Sequence, residues 1–167
     1  MQNIKKINYG KKWEQKFKYD FAKLPNSYVL RLKDTMSKFK SVKQISDFVC
    51  YCYPYLWFIE CKATKGGTFN LKKLTQYNDL LTTQNHFGIS AGVVIWFYTK
   101  QRVCYVPIEE FKRIKEDLKL KSISIKMIDD PNYKVYNVPG ELKKFYMDCD
   151  YSFLLDLANE TYNVEKE

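Results

Sequence analysis

Histidine is almost absent from this chain: His86 is the only one. It completes no metal-ligand spacing with the distant cysteines, which argues against metalloprotease and histidine-based nuclease chemistry. Arginine is scarce as well. Arg31, Arg102 and Arg113 are the only three, and the other 25 basic residues are lysines. Lysine meets phosphate as a point charge, whereas arginine reads guanine edges through two bonds, so backbone or shape recognition is favoured over base readout. No GxGxxG or Walker pattern surrounds the turn at Lys65-Gly66-Gly67, so no nucleotide-binding motif is read there. The longest apolar run, Ile89 to Tyr98, is far too short to span a bilayer. The opening MQNIKKINYGKKWEQKF is charged throughout and has no apolar signal-peptide core. No strongly amphipathic basic helix stands out, which leaves membrane as a poor partner. Five cysteines, an odd number without paired spacing, fit a reducing cytoplasm and not a disulfide framework.

The 167 residues suit one domain with a sizeable core, and 46% apolar with 17% aromatic residues marks a globular chain. Net charge is +9 and unevenly spread. Residues 141–167 carry seven acids and three lysines, which leaves +13 on the first 140. A basic body with an acidic C-terminal extension points to a polyanion partner, nucleic acid first.

The stretch Asp47 to Lys62, DFVCYCYPYLWFIECK, reads as two β-favouring segments around a turn at Tyr53-Pro54. A symmetric pairing about that turn sets Asp47 across from Glu60, with Cβ atoms roughly 4.5–5.5 Å apart. Lys62 shares their face by the period of two. Opposed like charges destabilise a ladder unless a cation sits between them. Two readings are open at this point. One is a Mg²⁺ site, since this ion often takes only one or two protein carboxylates and keeps places for water and phosphate oxygens. The other is a solvated face in which Lys62 bridges both acids. Cys50, Cys52 and Cys61 fall on the opposite face. Cys61 lies about 13 Å along the ladder from the position facing Cys50, too far for zinc–sulfur bonds of roughly 2.3 Å, so the thiols read as small core residues.

Around this hairpin the periodicity predicts a helix over Tyr9 to Leu24, with Trp13, Phe17, Phe21 and Leu24 on one face and Glu14 beside it. Pro25-Asn26 stops it, and SYVLRL (27–32) is a first strand. Residues 34–44 read as a mobile basic loop. With Lys33, its lysines Lys38, Lys40 and Lys43 form an arm for a phosphate backbone or simply a solubilising surface. Asn70 caps a predicted helix over Leu71 to Gln84, with Gln76 beside its apolar stripe. Gly88 and Gly92 bracket the apolar strand segment SAGVVIWFY, which pairs with RVCYV across Thr99-Lys100-Gln101. Pro107 opens a helix over PIEEFKRIKEDLKL, SISIKMI (122–128) is a short extended segment, and FLLDLA belongs to a terminal helix. The order gives an α/β fold, a central mixed β-sheet flanked by helices.

Asp47 followed by Glu60-Cys61-Lys62 is a D…ExK arrangement, set between a helix bearing Glu14 and a later helix bearing Gln76. It resembles the PD-(D/E)xK nucleases. The local text, Gly10…Glu14, Ser46-Asp47, FIECKAT, FNLKKL and Gln76, is similar to the RecU-type Holliday junction resolvases over about Gly10 to Ile114. The resemblance implies a restriction-endonuclease-like single nuclease domain over 1–167. It implies Mg²⁺, or Mn²⁺ in its place, held by Asp47 and Glu60 with the Cys61 carbonyl beside them and with Ser46 and Gln76 completing the shell. Lys62 then stabilises the transition state or positions the attacking water, and Glu14 assists. It also implies a homodimer that nicks four-way junctions in paired fashion, in a bacterial or phage-infected cytoplasm. Lys11, Lys12, Lys33, Lys38, Lys40, Lys43, Lys65, Lys72 and Lys73 are the candidate DNA contacts. The chain departs from the family in three places. Ser46 stands where threonine is usual, residues 34–44 are a shortened stalk without KPTP text, and alignment of Gln76 needs a two-residue gap that otherwise selects Asn78. Two rivals stay open: a nuclease of this fold acting on other branched or replicating DNA, and a nucleic-acid-binding module without cleavage.

Overall fold

The first helix, α1 (Tyr9–Phe21), places Trp13, Phe17 and Phe21 on one fully buried stripe. The Asn8 side chain caps it by accepting from Lys11 N at 3.1 Å. The helix ends at Phe21, short of the expected Leu24, although Leu24 still packs into the core. Asn26, in the left-handed region at φ 55°, turns the chain into β1 (Ser27–Arg31). The computed structural model describes residues 7–32, 36–37, 40–41, 44–144 and 146–162, with the side chains of 36–37 and 40–41 left out. Where a loop is expected over 34–44, β2 (Met36–Ser37) and β3 (Lys40–Ser41) form a two-residue antiparallel ladder.

The central hairpin is β4 (Phe48–Cys52) and β5 (Tyr55–Thr64). Phe48 pairs with Ile59 and Cys52 with Tyr55, the register predicted from symmetry about Tyr53-Pro54. Next, β6 (Thr68–Asn70) leads into a 3₁₀ turn, Leu71–Lys73, capped by the Asn70 side chain as expected. The predicted helix over 71–84 is broken there. Leu74, at φ −88° and ψ 87°, leaves helical geometry, and only α2 (Tyr77–Thr83) is α-helical.

Then come β7 (Ile89–Phe97), β8 (Arg102–Pro107) and α3 (Ile108–Lys112), whose last turn widens into a π-helical stretch, Arg113–Asp117. Gly92 lies inside β7 and does not bracket it: a Cβ there would stand 2.4 Å from the Tyr105 ring. β9 (Ser122–Ser124) takes only the start of SISIKMI, because the rest turns into a 3₁₀ helix, Ile125–Ile128. Its pairing with β6 is long-range and invisible to local pattern. The chain closes with β10 (Tyr136–Asn137), the hairpin β11 (Gly140–Lys143) and β12 (Tyr146–Cys149), and α4 (Phe153–Tyr162).

Six strands form the central sheet in the order β1-β4-β5-β7-β8-β10. The β5–β7 pair is parallel and its neighbours are antiparallel, so the sheet is mixed. One face is covered by α1 and α4. Phe17 packs at a tilt against Phe48, Phe21 meets Trp57 edge-on and Trp13 stacks on Trp96, with Leu154 and Ala158 in the same cluster. The other face is covered over β7 and β8 by α2 and α3, through Leu80, Ile108, Phe111 and Ile114. Over β1 and β4 that second face is left open: Tyr28, Leu30 and Tyr51 are exposed. All five cysteines are buried free thiols, and Cys50, Cys52 and Cys61 share the α1 face as predicted. Among the described residues no helix is long and apolar enough to cross a membrane.

Candidate active site

The hairpin register fixes where the acids fall. Asp47 sits one residue before β4, opposite Glu60 of β5. The two residues hold each other through backbone donors. Asp47 N donates to Glu60 Oε2 at 3.0 Å, and Cys61 N donates to Asp47 Oδ2 at 2.8 Å. Lys62 Nζ donates to Glu60 Oε1 at 2.7 Å. The predicted face therefore gathers two carboxylates and one ammonium at the open end of the β4–β5 ladder. Leu32 N donates to the Asp47 carbonyl at 2.8 Å, and the Gln44 amide donates to the carbonyls of Leu32 and Ser46. Those bonds pin the chain as it enters β4.

A solvated face does not describe this cluster, because Glu60 is only 1% exposed. Burial first, then the neighbouring Asp47 charge, pushes its carboxyl up to about 7, while Lys62 pulls the other way. Burial also raises Asp47, against the lowering pull of the Cys61 N–H, Lys62 and Arg31. Glu14 reaches the same neighbourhood from α1. Its pKa is raised by burial and by Asp47, and lowered by Arg31, with which it forms an ion pair. Three acids thus interact electrostatically across two elements, balanced by Arg31 and Lys62. Arg31 was missed as a site residue. The signal was available, since it is one of three arginines and ends the strand beside the hairpin.

The remaining predicted residues are placed less closely. Ser46 is fully buried, and its hydroxyl donates to the Phe48 carbonyl at 2.9 Å. Gln76 precedes α2, and its side-chain oxygen accepts the Thr75 hydroxyl at 2.9 Å. No described hydrogen bond joins Gln76 to Asp47, Glu60 or Lys62. Lys11, Lys12, Lys65, Lys72 and Lys73 are exposed. Lys33, Lys38 and Lys43 lie outside the described residues, as does the side chain of Lys40. Lys16, by contrast, is occupied: with Lys23 it binds Asp20 and Asp148, tying α1 to β12.

The donor set suits a hard divalent cation. It offers carboxylate and carbonyl oxygens, with a buried carboxylate whose charged form lacks full compensation. Among the described residues no group of three or more histidine, cysteine, aspartate or glutamate side chains is placed to hold a metal ion. An ion held by Asp47, Glu60 and the Cys61 carbonyl would keep its other positions for water or phosphate, the mode in which Mg²⁺ usually binds.

No protein-family model and no curated protein matches this sequence. Among solved structures the chain is similar to Hjc, a Holliday junction resolvase from the archaeal hyperthermophile Archaeoglobus fulgidus, at 19% identity and a TM-score of 0.49, covering 60% of this chain and 78% of that one. A likeness of that size leaves the function to be argued from the site itself.

Proposed function

We propose that this chain is a divalent-metal-dependent DNA endonuclease of the PD-(D/E)xK kind, acting on branched DNA, with the four-way junction as its preferred substrate and a homodimer as its working form. The observation that carries the reading is the contact of Asp47 and Glu60 across the hairpin end, with Lys62 on the same carboxylate. A purely structural ion pair needs one acid for one lysine. Here a second acid is held beside the first at an electrostatic cost. The sequence resemblance to junction resolvases supplies the substrate and the paired cuts.

In this reading Asp47 and Glu60 hold the cation. A bound Mg²⁺ supplies charge stabilisation at the phosphate oxygens and a more acidic water. Lys62 sets its side-chain nitrogen where negative charge gathers on the phosphoryl oxygens. Glu14, restrained by Arg31, orients water or the metal shell from α1. The exposed lysines along α1 and the Leu71–Lys73 turn hold the DNA backbone.

The test is single-turnover cleavage of a mobile four-way junction and of linear duplex, with Mg²⁺ and with excess chelator. Cutting should require the metal, favour the junction, and fall by at least roughly a hundredfold in Asp47→Asn. Junction binding without metal should survive that change. Equal cutting by the variant, or in chelator, rejects the hydrolytic reading. Equal cutting of both DNAs rejects only the junction preference.

A further inference from the structure

Beyond the acids, the far end of β5 borders a cavity of about 580 Å³. The space is partly open to solvent and is not an enclosed void. It falls instead within the range of small-ligand sites. Four aromatic side chains line it: Tyr9, Trp96, Tyr98 and Tyr146. Tyr9 and Tyr98 stack with ring centroids 4.2 Å apart and planes 1° from parallel. Lys12, Lys65 and Lys144 also line the cavity, and among the described residues no carboxylate does. Lys12 Nζ stands 5.8 Å from the centroid of the Tyr146 ring. Trp96 is nearly fully buried, yet its indole N–H has no acceptor among the described residues.

Flat rings and cations together match one ligand chemistry, a nucleobase with its phosphate. Position selects its source. Trp96 pairs with Ala63, which by the period of two faces the α1 side, opposite Glu60 and Lys62, while Lys65 lies three residues beyond Lys62 and Lys12 two before Glu14 on α1. Three strand residues span about 10 Å, or roughly three stacked nucleotides. A strand that reaches the cavity from the carboxylates therefore passes round the end of the sheet, where α1 carries both Glu14 and Lys12.

We propose that this cavity takes an unpaired nucleotide of the DNA strand beside the cleavage point, its base against Tyr9 and Tyr98 and its phosphates against Lys12, Lys65 and Lys144. The proposal rests on the nuclease reading above. It gives the enzyme a physical reason to prefer DNA with unstacked bases, because a continuous duplex has no base free to enter.

The test is fluorescence anisotropy of a labelled twelve-nucleotide thymidine strand with the full chain, in chelator so that nothing is cut. Tyr9→Ala should weaken binding about tenfold, and Tyr9→Phe should restore it. The Lys65→Ala, Lys144→Ala double variant leaves the aromatic rings in place and should reduce the salt slope by about 1.4. Thymidine monophosphate at matched concentration should not displace the strand. Unchanged affinity in Tyr9→Ala and in the lysine double variant overturns the proposal, and so does displacement by the free nucleotide. Mg²⁺-dependent cleavage that needs Asp47 is measured separately, so the pocket and the hydrolytic reading can fail independently.

Discussion

Glu60 is buried beside a second carboxylate, and its pKa of about 7 has a consequence for stability. Below its ordinary value of 4.5 the group is neutral in the folded and the unfolded chain. Between 4.5 and about 7 the unfolded chain ionises first, so rising pH favours unfolding. Above about 7 the loss is complete. Metal-free protein should therefore lose thermal stability as pH rises through that window, and Glu60→Gln should flatten the slope. Thermal melts in chelator at pH 5, 6, 7 and 8 check this, and a wild-type midpoint that rises across the window contradicts it. Ser46 shows a different residue-scale economy. Its hydroxyl serves the Phe48 carbonyl, so Ser46→Ala should cost about 1–2 kcal/mol of stability, read by denaturant unfolding. A change in stability without a change in metal affinity would make it a support of the hairpin and not a ligand.

At the scale of elements, β7 depends on a missing side chain. Gly92 faces the Tyr105 ring, and Tyr105 is buried. Gly92→Ala should destabilise the fold by about 1–3 kcal/mol, measured by urea unfolding, and a neutral result would mean that the ring can yield. The sequence pattern around β7 carried its apolar character, and the same holds for α1 and the β4–β5 hairpin. Their signals are local: helical spacing of Trp13, Phe17 and Phe21, and symmetry about Tyr53-Pro54. The register followed from that symmetry, and with it the meeting of Asp47 and Glu60. What stayed hidden has long-range causes. β6 exists because β9 pairs with it, and β10 because β8 offers an edge. The hairpin of β11 and β12 is held by Asp20 accepting from Cys149 N and by the Lys16 and Lys23 ion cluster. None of these partners is near in sequence. The break at Leu74 is similarly opaque, since the apolar stripe runs through it and only the backbone departs from a helix.

For the whole molecule, charge is the property that acts at a distance. The net +9 is concentrated outside the acidic C-terminal stretch, and its lysines are point charges for phosphate. If Lys11, Lys12, Lys65, Lys72 and Lys73 each neutralise one phosphate, affinity for duplex DNA should fall roughly 500-fold between 50 and 200 mM salt. Binding isotherms across that range test it, and a loss under tenfold would show that these lysines face water.

The hydrolytic account stands on a cation shared by Asp47 and Glu60. A crystal soaked in Mn²⁺ and measured at the manganese edge tests it most directly. The account predicts an anomalous peak roughly 2.0–2.2 Å from a carboxylate oxygen of each residue, lost in Glu60→Gln. An empty position there at saturating metal, with Lys62 still bonded to Glu60, would contradict it.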